Sequence, residues 1–144
     1  DESSQGYLNE ALAFAIKARN SKVEQVSCNI YDLDPEKVGM FDVSFCGSLL
    51  IHLTDNLKAL YALKKVTKEY SIISTVIENH NSRKPFARFV GKEDGQSFWI
   101  PNMACLKEMA LAAGCRKVKE ISKFDLNSVK GEFKTLHGTI KAYV

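Results

Sequence analysis

The sequence predicts an α/β fold in which helices cover both faces of a mainly parallel β-sheet, giving three layers. Segments with helical periodicity alternate with short apolar segments along most of the chain, an order typical of parallel sheets with crossover helices. Two apolar segments, 41–46 and 70–77, are continuous rather than alternating, as in strands that are buried on both faces. The last two segments alternate and predict an antiparallel pair that closes the sheet.

The amino-terminal half contains two predicted helices and two predicted strands. A helix is predicted over about 6–19, because Leu8, Leu12 and Ile16 recur at helical spacing. The segment 23–30 alternates and is rich in β-branched residues, which predicts a strand. After the apolar strand, Asp55 begins a helix whose last turn carries lysines, where the helix dipole favours cations.

The carboxyl-terminal half contains a long polar connection, a helix and the closing strand pair. The connection 78–98 has a length that is usually functional or forms a lid. Asn102 is the predicted N-cap of a helix that ends at Gly114. Strands are predicted over 117–126 and 133–144, joined through "NSVKGE".

Composition and charge limit the class of protein. A chain of 144 residues suffices for one domain, residues 1–144, with a buried core. The net charge of +3 comes from 20 basic and 17 acidic residues, an excess too small to indicate a nucleic acid or an anionic membrane as partner. We expect no membrane or targeting segment, because the apolar runs are shorter than the roughly 20 residues that span a bilayer and a basic-then-apolar leader is not seen.

The cysteines indicate a reducing compartment. The four cysteines form no CxxC pair, and none lies at zinc-site spacing from a histidine. We therefore expect reduced, mostly buried thiols in a cytoplasmic protein without a metal site.

Three strings of the sequence resemble segments of one enzyme family. The string "NIYDLDPEKVGMFDVSFCGSLLIHLTDNLKAL" is similar to its third strand, acidic turn, fourth strand and following helix. The string "RKPFARFVGKEDGQSFWIPNMACLKEMALAAG" is similar to its substrate-side loop and the helix after the fifth strand, and "FKTLHGTIKAYV" to its seventh strand. The family is the class I, Rossmann-like S-adenosylmethionine-dependent methyltransferases, and within it the tRNA wobble-uridine carboxymethyl/methyltransferase-like group. The resemblance implies S-adenosylmethionine as cofactor and a small-molecule or RNA methyl acceptor.

The resemblance implies cofactor-binding roles for five residues. Asp32 corresponds to the acidic residue that contacts the adenine edge, and Leu33 to an apolar wall beside the ring. Cys46, Gly47 and Ser48 correspond to the strand end along which the methionine part of the cofactor lies, where glycine permits close approach. From the residues alone, Asp32 also fits an Asx turn before a "DP" pair, and Gly47 a strand-to-loop turn.

Four more residues are candidates for the acceptor side. His52 lies where relatives place residues that face cofactor and substrate and is a candidate general base, although a histidine at a strand–helix junction is often structural. Arg83 and Arg88 are candidates for binding a carboxylate or phosphate, or they belong to a solvated basic loop. Trp99 either lines an apolar pocket or packs the loop down. His137 has no partner that the sequence identifies.

The glycine-rich strand that begins a complete enzyme of this family is absent from the sequence. The resemblance implies a sheet order of 3-2-1-4-5-7-6, in which the first two strands of the family fold would be lacking. We therefore expect the 23–30 strand to pair directly with the 41–46 strand, or an exposed sheet edge to form a homo-oligomer. Two hypotheses stay open: a truncated methyltransferase, and a non-catalytic module that acts in oligomer assembly or partner binding.

Overall fold

The computed structural model describes residues 2–80, 82–91, 97–127 and 134–144. The helices within these ranges are α1 (Glu2–Ala18), α2 (Pro35–Val38), α3 (Asn56–Lys65) and α4 (Met103–Ala112). The strands are β1 (Phe41–Gly47), β2 (Thr67–Val76), β3 (Ala87–Phe89), β4 (Trp99–Pro101), β5 (Lys117–Asn127) and β6 (Lys134–Tyr143). Two short 3-10 turns span Ile30–Asp32 and Leu50–His52. No helix in these ranges is both long enough and apolar enough to cross a membrane.

The main sheet is mixed and has the strand order β1-β2-β6-β5, while β3 and β4 form a separate ribbon. β1 and β2 are parallel, whereas β6 pairs antiparallel with both β2 and β5. This confirms the predicted α/β class and the closing antiparallel pair. The order equals the 4-5-7-6 part of the sheet that the resemblance implies. Within the described residues, parallel pairing is confined to β1 and β2, so the sheet there is not mainly parallel.

Side-chain caps begin the two helices that pack on the sheet. Asp55 Oδ1 accepts a hydrogen bond from the backbone N–H of Lys58 at 2.9 Å, and Asn102 Oδ1 accepts one from that of Cys105 at 2.8 Å. Each cap satisfies a backbone donor that the first helical turn leaves without an intrahelical partner. The predicted starts of both helices are thereby confirmed.

The hydrophobic core lies between one face of the sheet and helices α3 and α4. Three neighbouring strands contribute Cys46, Ile73 and Ile140, and the two helices contribute Leu60 and Leu106. On the opposite face of β1 the side chain of Phe45 is 70% exposed. The second helical layer of the predicted three-layer arrangement therefore does not cover β1 in the part of the chain that the structure describes.

The predicted strand at 23–30 is wrong. Residues 23–29 belong to no sheet, and Asn29 caps the turn that follows, its Oδ1 accepting from the backbone N–H of Tyr31 at 3.0 Å. Val26 is 63% exposed, so the alternating pattern buries little surface. The cap at Asn29 forms and a strand does not, because β-propensity is effective only when a segment packs against neighbouring strands. This segment has no such neighbour here. The predicted pairing with the 41–46 strand is also wrong, and among the described residues the outer edge of β1 is open.

The Leu106→Ala substitution tests this core. Leu106 has no exposed surface, so its truncation should leave a cavity and lower the free energy of unfolding by about 2–5 kcal/mol. Leu111→Ala is the matched control, because Leu111 lies on the same helix but is 39% exposed. Urea denaturation measures both variants. Equal losses of stability in the two would contradict the assignment of the core to this face of α4.

Candidate functional site

The carboxyl end of β1 forms a sharp turn at Gly47 and Ser48. The backbone N–H of Ser48 donates to the carbonyl oxygen of Ser74 at 2.8 Å, which extends the β1–β2 pairing by one residue. Ser48 itself has a positive φ of 52°. A residue with a Cβ is rarely found in this left-handed region, and such strain is concentrated at functional sites. The turn directs the chain away from the sheet where the carboxyl ends of two parallel strands lie together.

The Ser48 side chain contacts a buried histidine that the sequence did not connect with it. Ser48 Oγ lies 3.2 Å from Nε2 of His137, which is only 4% exposed. On the other side of the ring, Nδ1 lies 3.3 Å from the carbonyl oxygen of Thr135, and Phe124 stacks on the ring with a centroid distance of 5.5 Å. The two partners are 89 positions apart in the chain, and only the pairing of β6 with β2 brings them together.

Cys46 and Gly47 present different groups to this end of the sheet. The Cys46 side chain is buried in the core, and burial raises the pKa of its thiol to about 11. Only the backbone of Cys46 is therefore available to a ligand. A Cβ added at Gly47 would lie 2.6 Å from the ring of Phe45. The absence of a side chain at Gly47 leaves room for the Phe45 ring, which lies over this residue.

Leu33 and Leu49 line one apolar cavity of about 440 Å³ together with Val43 and other residues of β1. The segment that carries Leu33 is held against α3, because the Tyr31 hydroxyl accepts from the backbone N–H of Asp55 at 3.1 Å. Asp32, one residue before Leu33, is exposed. Leu33, which follows Asp32, and Leu49, which follows Gly47 and Ser48, thus face the same cavity.

His52 and Trp99 lie on adjoining segments. The backbone N–H of Phe98 donates to the carbonyl oxygen of Ile51 at 2.8 Å, and Trp99 Nε1 donates to that of Thr54 at 3.2 Å. His52 is exposed at the end of the second 3-10 turn. The Trp99 ring packs against Phe89 at a centroid distance of 4.7 Å. The structure therefore joins the β1 exit to the ribbon β3–β4.

The two candidate arginines line different cavities. Arg88 Nε donates to Glu78 Oε1 at 2.5 Å and lines a cavity of about 460 Å³ with Asp125 and Lys134. Arg83 lines a separate, polar cavity of about 310 Å³. Trp99 lines a third, smaller one, next to Leu57 and Met109. The structure does not bring Arg83, Arg88 and Trp99 into one cavity.

Asn102 connects the loop that carries Arg83 to α4. Asn102 is fully buried, and its Nδ2 donates to the carbonyl oxygens of Ser82 at 3.3 Å and Lys84 at 2.9 Å. Its Oδ1 accepts from the backbone N–H of Phe86 at 3.3 Å in addition to the helix cap. The sequence predicts the cap alone, since the loop contacts depend on the fold.

Among the described residues, no group of three or more histidine, cysteine, aspartate or glutamate side chains is arranged to hold a metal ion.

Comparison with known proteins identifies the fold. No protein-family model and no curated protein matches the sequence. The N-terminal domain of EvdMO1 with SAH bound is similar, with a TM-score of 0.61 and 18% identity over 92% of this chain and 58% of that chain. The 1,6-didemethyltoxoflavin-N1-methyltransferase of Burkholderia thailandensis, with S-adenosylhomocysteine bound, has a TM-score of 0.60 and 15% identity over 91% of this chain and 56% of that chain.

A third solved structure agrees with these two. An S-adenosylmethionine-dependent methyltransferase from Clostridium acetobutylicum has a TM-score of 0.58 and 14% identity over 96% of this chain and 71% of that chain. The chain thus has the fold of part of these proteins and spans less than two thirds of the length of the first two. At such identities the similarity establishes the α/β methyltransferase-like fold and not a substrate.

The Asn102→Ala substitution tests the connection between loop and helix. Loss of the cap and of the loop contacts should lower the free energy of unfolding by about 1–3 kcal/mol, because buried backbone groups lose their partners. Hydrogen exchange should accelerate at the amides of Phe86 and Cys105, which both donate to Oδ1. Asn79→Ala, an exposed asparagine of the same connection, is the control and should change neither quantity. Unaltered exchange at Phe86 in Asn102→Ala would refute the connection.

Thiol labelling tests the burial of Cys46. At pH 8 a thiol with a pKa of about 11 is about 0.1% thiolate, and the thiolate is the reactive form. Cys28 is exposed and should react rapidly with a disulfide reagent in the folded protein, whereas Cys46 should react only after denaturation or as the pH rises toward 11. Peptide mass analysis distinguishes the sites. Rapid labelling of Cys46 at pH 8 would show that it is not in the core.

Proposed function

We propose that this chain binds S-adenosylmethionine and forms the acceptor-facing part of a methyltransferase. One observation carries the proposal: over nine-tenths of the chain has the fold of proteins that were crystallised with the product form of this cofactor. The location of the strained turn at Ser48, at the carboxyl end of the parallel pair, supports it further, since open α/β sheets bind ligands at that edge.

The residues around the Leu33–Leu49 cavity fit the cofactor. An apolar slot of this size suits a flat heterocycle, and the exposed carboxylate of Asp32 beside it suits an exocyclic amine. The strand end formed by the backbone of Cys46, by Gly47 and by Ser48 is where the methionine part of the cofactor would lie, beside the exposed Phe45 ring that covers Gly47. When bound, S-adenosylmethionine supplies an activated methyl group, and the protein's part is to align the acceptor with it.

The acceptor side is assigned to residues beyond the β1 exit. His52 is exposed next to the ribbon that carries Trp99, a position suited to a general base for an acceptor that lies over the indole ring. Arg88 and Arg83 are suited to anionic groups, and because they line separate cavities they would bind separate groups or different acceptors. The net charge of +3 favours a small-molecule acceptor over RNA, which the wobble-uridine-like resemblance also allows.

Titration with S-adenosylhomocysteine tests the proposed function. At about 100 times its dissociation constant the ligand should add about 2.7 kcal/mol to the free energy of unfolding, seen as a rise in Tm of several degrees. The Asp32→Ala variant should lose at least about tenfold in affinity, because a hydrogen bond to a charged group is lost. Glu36→Ala removes a neighbouring exposed carboxylate and should bind as the wild type does. If the wild type shows neither heat nor a shift in Tm at millimolar ligand, the proposal fails.

A second candidate function is assembly through the open edge of β1, with a second copy of this chain as the partner. Phe41, Val43 and Phe45 are exposed along this strand. Antiparallel pairing of two β1 strands about Ser44 would place Val43 opposite Phe45 of the copy, and aromatic–β-branched pairs of this kind are favourable. The other sheet edge, β5, carries a bulge and several lysines, features that protect an edge from pairing.

Molar mass in solution tests this assembly. Val43→Lys should convert a dimer to a monomer by placing a charge in the interface, whereas Ile121→Lys, an exposed β-branched residue of the other edge strand, should leave the dimer intact. Light scattering after size-exclusion chromatography measures both variants at equal concentration. A monomeric wild type, or a dimer broken only by Ile121→Lys, would contradict assembly through β1.

A further inference from the structure

The small pocket that Trp99 lines lies between the start of α3, the ribbon β3–β4 and α4. It has a volume of about 250 Å³ and shares no lining residue with the Leu33–Leu49 cavity. This volume suits a ligand of a single ring, since drug-sized ligands fill roughly 300–1,000 Å³. Its lining includes the apolar side chains of Leu57, Ala87, Trp99 and Met109 and the polar ones of Asp55 and Asn56.

Asn56 contributes a hydrogen-bond acceptor that the protein does not use. Its side chain is only 7% exposed, and within the described residues its Oδ1 has no hydrogen-bond partner. The start of α3 does not need this oxygen, because Asp55 is the cap of that helix. A buried acceptor without a partner is unfavourable, since the water lost on folding is not replaced. A ligand with an N–H group in the pocket would supply the missing donor.

The charge of the pocket favours a positively charged donor. Asp55 is exposed and is the one charged side chain that lines the pocket in the described part of the chain. Its Oδ1 caps α3, which leaves Oδ2 for a ligand. Trp99 adds an indole ring, the aromatic group that attracts an ammonium most strongly. Lys58, on the same helix, is directed elsewhere, with Nζ 5.2 Å from the centroid of the Tyr31 ring.

We propose that this pocket binds a small primary amine with an apolar body, of the arylalkylammonium class. The ammonium group donates to Asn56 Oδ1 and to the Asp55 carboxylate, and the ring packs against Trp99. A ligand carboxylate or phosphate is disfavoured, because no basic side chain lines the pocket among the described residues. The inference goes beyond the proposed function and does not depend on cofactor binding, since the two cavities have no lining residue in common.

Fluorescence of Trp99, the single tryptophan of the chain, reports binding in this pocket directly. The probes are phenethylamine, phenethyl alcohol and hydrocinnamate, which share a phenyl ring and carry a positive, a neutral and a negative polar group. Excitation at the red edge of indole absorption avoids the phenyl ring, and no S-adenosyl ligand is added. The wild type should bind the amine about tenfold or more tightly than the alcohol, the range for hydrogen bonds to a charged group, and should bind the carboxylate most weakly.

Two substitutions test the polar groups. Asn56→Leu keeps the approximate size of the side chain and removes the acceptor, so the affinity for the amine should fall about tenfold or more. Its Tm should stay unchanged or rise, because a buried group without a partner is lost. Asp55→Ser keeps a good N-cap and removes the charge, so it should weaken binding of the amine about two- to fivefold and leave that of the alcohol unchanged. Asp42→Ser, which removes an exposed carboxylate of β1, is the control and should bind the amine as the wild type does.

The outcomes decide this inference separately from the proposed function. The expected order of the three probes, with weaker amine binding in both pocket variants, supports it. A carboxylate that binds as tightly as the amine, no saturable change in Trp99 emission, or wild-type amine affinity in Asn56→Leu would overturn it. If Asn56→Leu lowers the Tm, Asp55→Ser decides, and unchanged amine affinity there overturns the inference. A wild type that binds the amine but not S-adenosylhomocysteine overturns the proposed function alone.

Discussion

The parallel pairing of β1 with β2 is the constraint on which the proposed site depends. It places Gly47 opposite Ser74 and brings two strand ends to the same edge of the sheet, where the chain must leave at Ser48. The antiparallel β6 then adds His137 at that edge, opposite Val76. The core contacts of Cys46 and Ile73 hold this register, because a slip by one residue would turn the buried side chains to the opposite face.

The core face of the sheet and the region around β1 that would bind the cofactor differ in packing. The face toward α3 and α4 is packed and contains a buried thiol, whereas the carboxyl end of β1 carries the positive φ of Ser48 and the first half of β1 borders the apolar cavity. Asn102 connects the packed core to a surface loop, since it caps the start of α4 and also binds the loop before β3. The placement of residues 82–86 therefore depends in part on a buried amide outside that loop.

Much of the fold could be predicted from the sequence because its elements have strong local signals. The apolar runs, the caps Asp55 and Asn102 and the closing strand pair are all confirmed. The 23–30 segment was mispredicted because alternation reports propensity and not the presence of a neighbouring strand. The candidate residues at the end of β1 follow from the resemblance, but the Ser48–His137 contact does not, since only the antiparallel register joins residues so far apart in the chain. The sequence also does not show that Arg83 and Arg88 line different cavities, because that depends on how the fold places the segment that carries them.

The central claim is that a cofactor binds where the edge of β1 meets the segment before α2. Amide chemical shifts in a titration with S-adenosylhomocysteine test it most directly, since they report the location of binding as well as its occurrence. The account predicts concerted shifts at Leu33, Gly47, Ser48 and Leu49 with one dissociation constant. Shifts confined to the cavity around Arg83 and Lys107, or no shifts at saturating ligand, would contradict it.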